Sequence, residues 1–521
     1  MTEPVGVVGA GTMGAGIAQV AAVAGRRVLV ADAVPGAAER AIAKVRERVK
    51  AQAEKGRLDA DPAALDLTAV EIAGLGECGV VVEAIVEELG AKKALFAELE
   101  GIVGADCILA SNSSSLTPTA MAAGLARPGR LVGLHFFNPV PAMKLVEVIS
   151  GLATDPEAAD AAAELAAGWG KTVVRSAATP GFIVNRIARP FYAEAWRLYE
   201  EQATTAAAID AVLTGAGGFR MGPFALMDLI GHDVNEAVTR SVWAAFGYDP
   251  RFAPSLAQHA LVEAGWLGRK TGRGIYSYAD PATPAAAPAP AAARPLTVIQ
   301  YGRDLTDNSK TQLRELIGRS LGVAVIARDR DDAAAGLPDG LLELPSGALL
   351  LQCAGATATA LSAAFDRPVI VVDRMLNPAK ATAIAVAPSD GCPPAALAET
   401  IGLFQAGGLD VFVIDDVPGL IVTRTVAMLA NLAADALASR VASEADIDTA
   451  MRLGVNYPLG PLAWAREWGT GTILGVLDSL DNWYRDGRYR ASPLLRRAAL
   501  SQRTPSGSTL LPRQSQPGEH L

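Results

Sequence analysis

Three groups of residues have the types and spacing for chemistry on a small molecule. Near the N-terminus, GAGTMG sets Gly9, Gly11 and Gly14, with Thr12 and Met13 among them, between the apolar run VGVVG and an apolar helical stretch. Glycines at that spacing let the backbone approach a pyrophosphate and aim a helix N-terminus at its charge. The next strand-like run, RRVLVAD, ends in Asp32, twenty-one residues after Gly11. A carboxylate there accepts hydrogen bonds from ribose hydroxyls and repels a 2′-phosphate. The combination predicts a dinucleotide site that favours NAD over NADP, against the blander reading of Asp32 as a solvated strand end.

The second group turns on histidine, of which the chain has four: His135, His232, His259 and His520. His135 closes the strand-like run RLVGLHFF, and open sheets bind their ligands at strand C-termini. Twelve residues on, Glu147 sits among apolar neighbours in KLVEVI, where an unpaired carboxylate is costly. A His–Glu pair removes that cost and makes a general base that works near neutral pH. Taken singly, His135 is better explained as a satisfied core histidine, and its company with Glu147 and ASNSSS reverses that. The third group, ASNSSS (110–115), ends the run CILASN and brings Asn112 and Ser114 to the same sheet edge, although a cap or turn would account for it equally.

These residues need a scaffold, and before residue 180 short β-branched runs alternate with Ala-rich helical stretches. That rhythm predicts a Rossmann-like, doubly wound α/β sheet over residues 1–179, followed by an all-α domain over 180–278. ADPATPAAAPAPAAARP (279–295) reads as a semi-rigid linker. The plan then repeats at a constant offset of 238 residues: PGFIVNR from Pro180 matches PGLIVTR from Pro418, and Gly222-Pro223 matches Gly460-Pro461. A degenerate second sheet domain is expected over 296–416, a second helical domain over 417–500 and a disordered polar tail over 501–521.

Composition narrows the function classes. A formal charge of −9 disfavours a sequence-independent grip on nucleic acid or anionic lipid. Cys78, Cys107, Cys353 and Cys392 form no CxxC pair or His/Cys cluster, so neither a disulfide framework nor a metal site is indicated, and a cytoplasmic location fits. Residues 4–25 carry no charge, but their six glycines and central Gln19 argue against a membrane span or secretion signal.

GAGTMG, VEAIVEELGAKKALF, ASNSSSL, GLHFFNPVPAMKLVEVI, PGFIVNRI, GP with MDLIG, and AGWLGRKTGRGIYSY occur in this order over residues 5–278. Together they resemble the L-3-hydroxyacyl-CoA dehydrogenase family. The second half resembles its longer two-unit bacterial members, of the 3-hydroxybutyryl-CoA or phenylacetate-pathway 3-hydroxyadipyl-CoA type. The resemblance implies NAD-linked, reversible oxidation of (3S)-3-hydroxyacyl-CoA to 3-oxoacyl-CoA. It makes His135 the acid/base and Glu147 its orienting partner, with Ser114 and Asn185 hydrogen-bonded to the reacting oxygen. Gly9, Gly11, Thr12, Met13, Gly14, Asp32, Glu87, Lys92, Asn112 and Lys270 would meet the cofactor, and Lys55 the CoA phosphates. Relatives often carry a second lysine one turn earlier, where this chain has Ala51.

In the second half, aligning LHFFNP with VDRMLNP puts Arg374 at the place of His135, Thr423 replaces Asn185, and no glycine fingerprint survives. A catalytically silent copy is expected, whose helical domain pairs with the first as an internal pseudo-dimer, or with a second chain as a homodimer. The competing readings are a dehydrogenase of a free hydroxy acid or sugar acid, and a non-catalytic NADH-binding module.

Overall fold

The computed structural model describes residues 3–278, 286–301, 308–328 and 341–501. The chain forms two compact units, Met1–Arg186 with Ser439–Val455, and Ile187–Ala438 with Asn456–Leu521.

The first unit is built on an eight-stranded sheet. Its strands are β1 (Val5–Val8), β2 (Val28–Ala31), β3 (Leu67–Ala69), β4 (Val80–Glu83), β5 (Ile108–Ser111), β6 (Leu131–Phe136), β7 (Leu145–Ser150) and β8 (Thr172–Ala177). They lie in the order β3-β2-β1-β4-β5-β6-β7-β8. Strands β1 to β6 are parallel, and the chain order reverses between β1 and β4, which opens the crevice where such sheets take dinucleotides. Runs such as VGVV and VLVA are buried along their whole length because helices cover both faces.

The expected doubly wound sheet is present, and its last two strands run against the others. Only the eight residues 137–144 join β6 to β7, fewer than the dozen or so a parallel crossover needs. The antiparallel register sets His135 opposite Glu147. Along β6, Val132, Leu134 and Phe136 enter one core with Ile17, Val45 and Val148, so alternation turns His135 to the other face.

The second unit holds a seven-stranded sheet and most of the helices of both repeats. Its strands are β9 (Thr297–Tyr301), β10 (Ala324–Arg328), β11 (Leu342–Glu343), β12 (Leu349–Gln352), β13 (Val369–Val372), β14 (Ala383–Pro388) and β15 (Asp410–Val413). The order is β10-β9-β11-β12-β13-β14-β15. The offset of 238 relates β6 to β13, β7 to β14 and β8 to β15, so the repeat extends back through three strands. Helix Arg189–Glu200 packs on its counterpart from the second repeat, Val422–Ala438. Buried Glu194 ties the repeats together by accepting hydrogen bonds from the Tyr489 hydroxyl (2.8 Å) and Arg488 Nε (3.2 Å).

Each sheet is finished by a helix from the other repeat. In the second unit, Ala206–Gly215 packs on β14, with Asp415 N–H donating to Ala203 O (2.9 Å) and Thr382 N–H to Gly215 O (3.0 Å). In the first unit, Glu444–Gly454 packs on β7 and β8, with Ala177 N–H donating to Val441 O (2.7 Å). Ala177–Val441 and Asp415–Ala203 are the same contact under the 238-residue offset.

Part of the Ala/Pro linker, 279–285, and the tail beyond Ser501 lie outside the described residues. The rest of the linker has no regular secondary structure and is held by Val411 O and the Gln405 side chain at Ala289. Among the described residues no helix is long and apolar enough to cross a membrane, and all four cysteines are free.

Candidate active site

A cavity of about 340 Å³ opens in the first unit, lined among others by Met13, Glu87, Ser114, His135, Asn138 and Asn185. The structure therefore brings together Met13, Glu87, Lys92, Asn112, Ser114, His135 and Asn185 from the sequence reading. Behind the cavity wall, His135 Nδ1 lies 2.6 Å from Glu147 Oε2. His135 is 6% exposed and Glu147 is fully buried. The other Glu147 oxygen accepts the backbone N–H groups of Ile183 (3.2 Å) and Val184 (3.0 Å). These amides follow Phe182, a non-glycine residue in the left-handed region (φ 47°), which turns the chain so that two successive N–H groups meet one carboxylate oxygen. A carboxylate can only accept, so in a neutral imidazole the proton sits on Nδ1 and Nε2 keeps its lone pair for the cavity. Phe137 and Phe182 flank the ring, with centroids at 4.6 and 5.8 Å.

The glycine turn fits a nucleotide. Gly9 has φ 103°, and a side chain there would strike Ala84 O at 2.4 Å; a Cβ on Gly14 would meet Gly9 O at 1.8 Å. A Cβ on Gly11 would meet nothing within 4 Å, so this position is open on the side where a pyrophosphate approaches. Asp32 stands at the end of β2 beside the turn, its Oδ2 accepting from Ala10 N–H (2.6 Å) and its Oδ1 from Val34 N–H (2.8 Å).

Around the ASNSSS turn the carboxylates are already engaged. Glu87 Oε1 accepts from the hydroxyls of Ser113 (2.6 Å) and Ser115 (2.8 Å) and from the N–H groups of Ser114 and Ser115 (both 3.0 Å). Burial pushes the Glu87 carboxyl up, but these bonds and the Lys92 ammonium outweigh it and hold the group below the usual carboxylate range. Asn112 Oδ1 accepts Phe136 N–H (2.9 Å) and so locks the ends of β5 and β6 together.

Lys92 is buried between two acids, 2.5 Å from Glu83 Oε1 and 3.3 Å from Glu87 Oε2, while Glu83 also accepts from the Ser111 hydroxyl (2.6 Å). Sequence reasoning missed Glu83, Phe137 and Asn138. A signal for Glu83 existed: a carboxylate inside GVVVEAI needs a cation, and Lys92 follows nine residues on. Lys92→Met strands a fully buried Glu83, and a stability loss of about 3–5 kcal/mol is expected in chemical denaturation. A loss below about 1 kcal/mol would show that the pair is dispensable.

Two further expected site residues are not in the lining of this cavity. Lys55 is exposed where helix Ala37–Glu54 ends and does not line the His135 cavity. Lys270 belongs to the second unit, where both oxygens of Asp233 hold its ammonium (2.6 and 2.7 Å).

The second sheet corrects one alignment. Asp373 N–H donates to Ala385 O, and β13 pairs with β14 in the register of β6 with β7, so Asp373 stands at the His135 position and Ala385 at that of Glu147. Arg374 corresponds to Phe136 instead, because one extra residue separates this strand from its Asn-Pro pair. Asp373 is fully buried and accepts from Ile421 N (2.9 Å), Val422 N (2.7 Å) and Thr423 N (3.0 Å), the counterparts of Ile183, Val184 and Asn185, and from the Thr423 hydroxyl (2.7 Å). One carboxylate thus occupies the place of the dyad and consumes the donors that braced its acid.

Residues 4–179 match the family described as 3-hydroxyacyl-CoA dehydrogenase, NAD binding domain. Residues 181–278 and again 419–509 match its C-terminal domain, and 350–418 match the 3-hydroxybutyryl-CoA dehydrogenase reduced Rossmann-fold domain. The chain is 44% identical over 502 residues to the 3-hydroxyadipyl-CoA dehydrogenase of Escherichia coli K12, spanning 96% of this chain and 98% of that protein. The crystal structure of a 3-hydroxybutyryl-CoA dehydrogenase from Escherichia coli K12 superposes with a TM-score of 0.86 at 42% identity, covering 96% of this chain and 98% of the other. A probable 3-hydroxybutyryl-CoA dehydrogenase of Bacillus subtilis is 41% identical over 278 residues, 53% of this chain and 96% of its own length. With a nucleotide-binding sheet, a C-terminal domain matched twice and likeness along nearly its whole length, the chain belongs to the 3-hydroxyacyl-CoA dehydrogenase family of NAD-dependent oxidoreductases.

Proposed function

We propose that this enzyme interconverts (3S)-3-hydroxyacyl-CoA and 3-oxoacyl-CoA in the cytoplasm, with His135 as the acid/base. The observation that carries this reading is the 2.6 Å contact between His135 and a fully buried Glu147 braced by two amides. In oxidation, His135 Nε2 takes the hydroxyl proton as the hydride leaves the same carbon. Gly9–Gly14 and Asp32 would hold NAD, which would supply the hydride acceptor. Glu147 holds the ring in the Nδ1–H tautomer and stabilises the imidazolium once it forms. Ser114 and Asn185 hydrogen-bond the reacting oxygen, which becomes the carbonyl. In reduction, the same imidazolium returns its proton to the developing alkoxide.

The Escherichia coli K12 protein and the Escherichia coli K12 crystal structure, each matching over nearly the full length, carry adipyl and butyryl substrate names, which supports a short acyl group. Rates of NADH oxidation with acetoacetyl-CoA and 3-oxoadipyl-CoA test this directly. A large kcat/KM advantage of one over the other assigns the substrate, and turnover of neither refutes the reading.

We assign the CoA phosphates to Lys55. A neighbouring cleft of about 520 Å³ supports this, since its lining includes Arg57, Lys144 and Lys171 and no carboxylate among the described residues. A charged hydrogen bond to phosphate is worth about 1.5–3 kcal/mol, so Lys55→Glu is expected to raise KM for the thioester roughly 10- to 100-fold at unchanged kcat. An unchanged KM removes Lys55 from that role. We take the second sheet to be catalytically silent, because Asp373 provides no imidazole and its oxygens are already engaged.

A further inference from the structure

The catalytic unit contains seventeen residues of the silent repeat, Ser439–Val455, and their helix Glu444–Gly454 lies against the two strands behind the dyad. Its buried side, Ile447, Ala450 and Met451, faces the sheet, and it ends on Gly454. A Cβ placed on Gly454 would stand 2.8 Å from Leu145 Cδ2 and 2.9 Å from Val184 Cγ2, closer than side-chain carbons tolerate. Gly454 has no left-handed backbone to explain the choice of glycine, and in a helix alanine is favoured over glycine by about 1 kcal/mol. The requirement for glycine is therefore one of packing.

The two neighbours respond differently. Leu145, itself fully buried, meets the added carbon with the far end of a side chain that has a second rotatable bond. Val184 is β-branched, stiff at χ1 and only 2% exposed, so pressure on its methyl passes to its backbone. That backbone carries the N–H that donates to Glu147 Oε1 at 3.0 Å. We propose that Gly454, supplied by the silent repeat, is a positioning residue for the dyad: its missing side chain lets Val184 seat the amide that orients Glu147 against His135. The silent repeat is on this view a working part of the active unit. The inference rests on the reading of His135 and Glu147 as the acid/base pair.

The test uses the full-length enzyme, comparing wild type, Gly454→Ala and the double variant Gly454→Ala/Val184→Ala. Misplacing a positioning contact by about 1 Å costs up to roughly 100-fold in rate, so Gly454→Ala is expected to lower kcat roughly 10- to 100-fold while NADH affinity and KM stay near wild type. Val184→Ala removes the crowded methyl together with its twin and keeps the amide, so the double variant gains one methyl, loses two and should recover most of kcat. Wild-type kcat in Gly454→Ala overturns the proposal, as does a loss that Val184→Ala fails to relieve. If Glu147→Gln itself turned over normally, the acid/base reading would fall first; if Glu147→Gln is crippled and Gly454→Ala is not, only the positioning role falls.

Discussion

His135→Ala is expected to lower kcat by roughly 100- to 10,000-fold, the usual contribution of a placed general base, while NADH still binds. Removing the ring leaves the secondary alcohol no group to take its proton as the hydride departs. In the reverse direction it leaves the alkoxide without an acid. The glycine turn and Asp32 are untouched, because they follow β1 and β2, three and four strands from β6 in the sheet order. Retained NADH binding, read by fluorescence, therefore separates lost chemistry from lost fold. Near-normal turnover would take His135 out of the mechanism.

Glu147→Gln is expected to be nearly as damaging, for a different reason. One oxygen of Glu147 serves the amides of Ile183 and Val184 and the other serves His135 Nδ1, so both ends of the group must accept. Glutamine has a single acceptor oxygen. If that oxygen stays with the two amides, its NH2 faces His135 and forces the proton from Nδ1 to Nε2, where the base is needed. If it turns to His135, two buried N–H groups lose their partner at about 1–3 kcal/mol each. The first arrangement keeps the fold and ruins the tautomer, a change that costs about 10⁴-fold in a related His–carboxylate pair. A kcat reduced roughly 100- to 10,000-fold at near-wild-type melting temperature is the expected result. Unchanged kcat would mean that the acid serves packing alone.

How far the sequence could be read depended on whether a feature was local. GAGTMG and Asp32 are spaced along one strand–helix–strand unit, so their roles are visible in the chain itself. His135 and Glu147 were legible because each ends or interrupts an apolar strand, and the cost of a buried acid asks for a partner. Their opposition across an antiparallel pair follows from the eight-residue connection, which the alternating strand–helix rhythm obscured. The Asn-Pro pair of the second half is a conspicuous motif, but one extra residue precedes it, so alignment on that pair moves the match from Asp373 to Arg374. Burial and strand pairing decide such a register, and the strand hydrophobics carry it more faithfully than the motif. The Lys92–Glu83 pair is a through-space contact, which the resemblance of Lys92 to a cofactor neighbour does not disclose. Least legible of all was the placement of Ser439–Val455 in the first unit. Reciprocal exchange of equivalent helices leaves no mark on composition or periodicity, because each helix buries the same face whichever sheet receives it.

The most direct test of the dyad is the protonation of the imidazole itself. The chain has four histidines, so ¹⁵N-labelled imidazole signals are few, and the His135 signal is assigned by its absence from His135→Ala. In the free enzyme, with the ring neutral, the account predicts a proton on Nδ1, strongly deshielded by its short bond to Glu147, and a bare Nε2. A neutral ring with its proton on Nε2 and none on Nδ1 would contradict it, since no lone pair would then face the substrate alcohol.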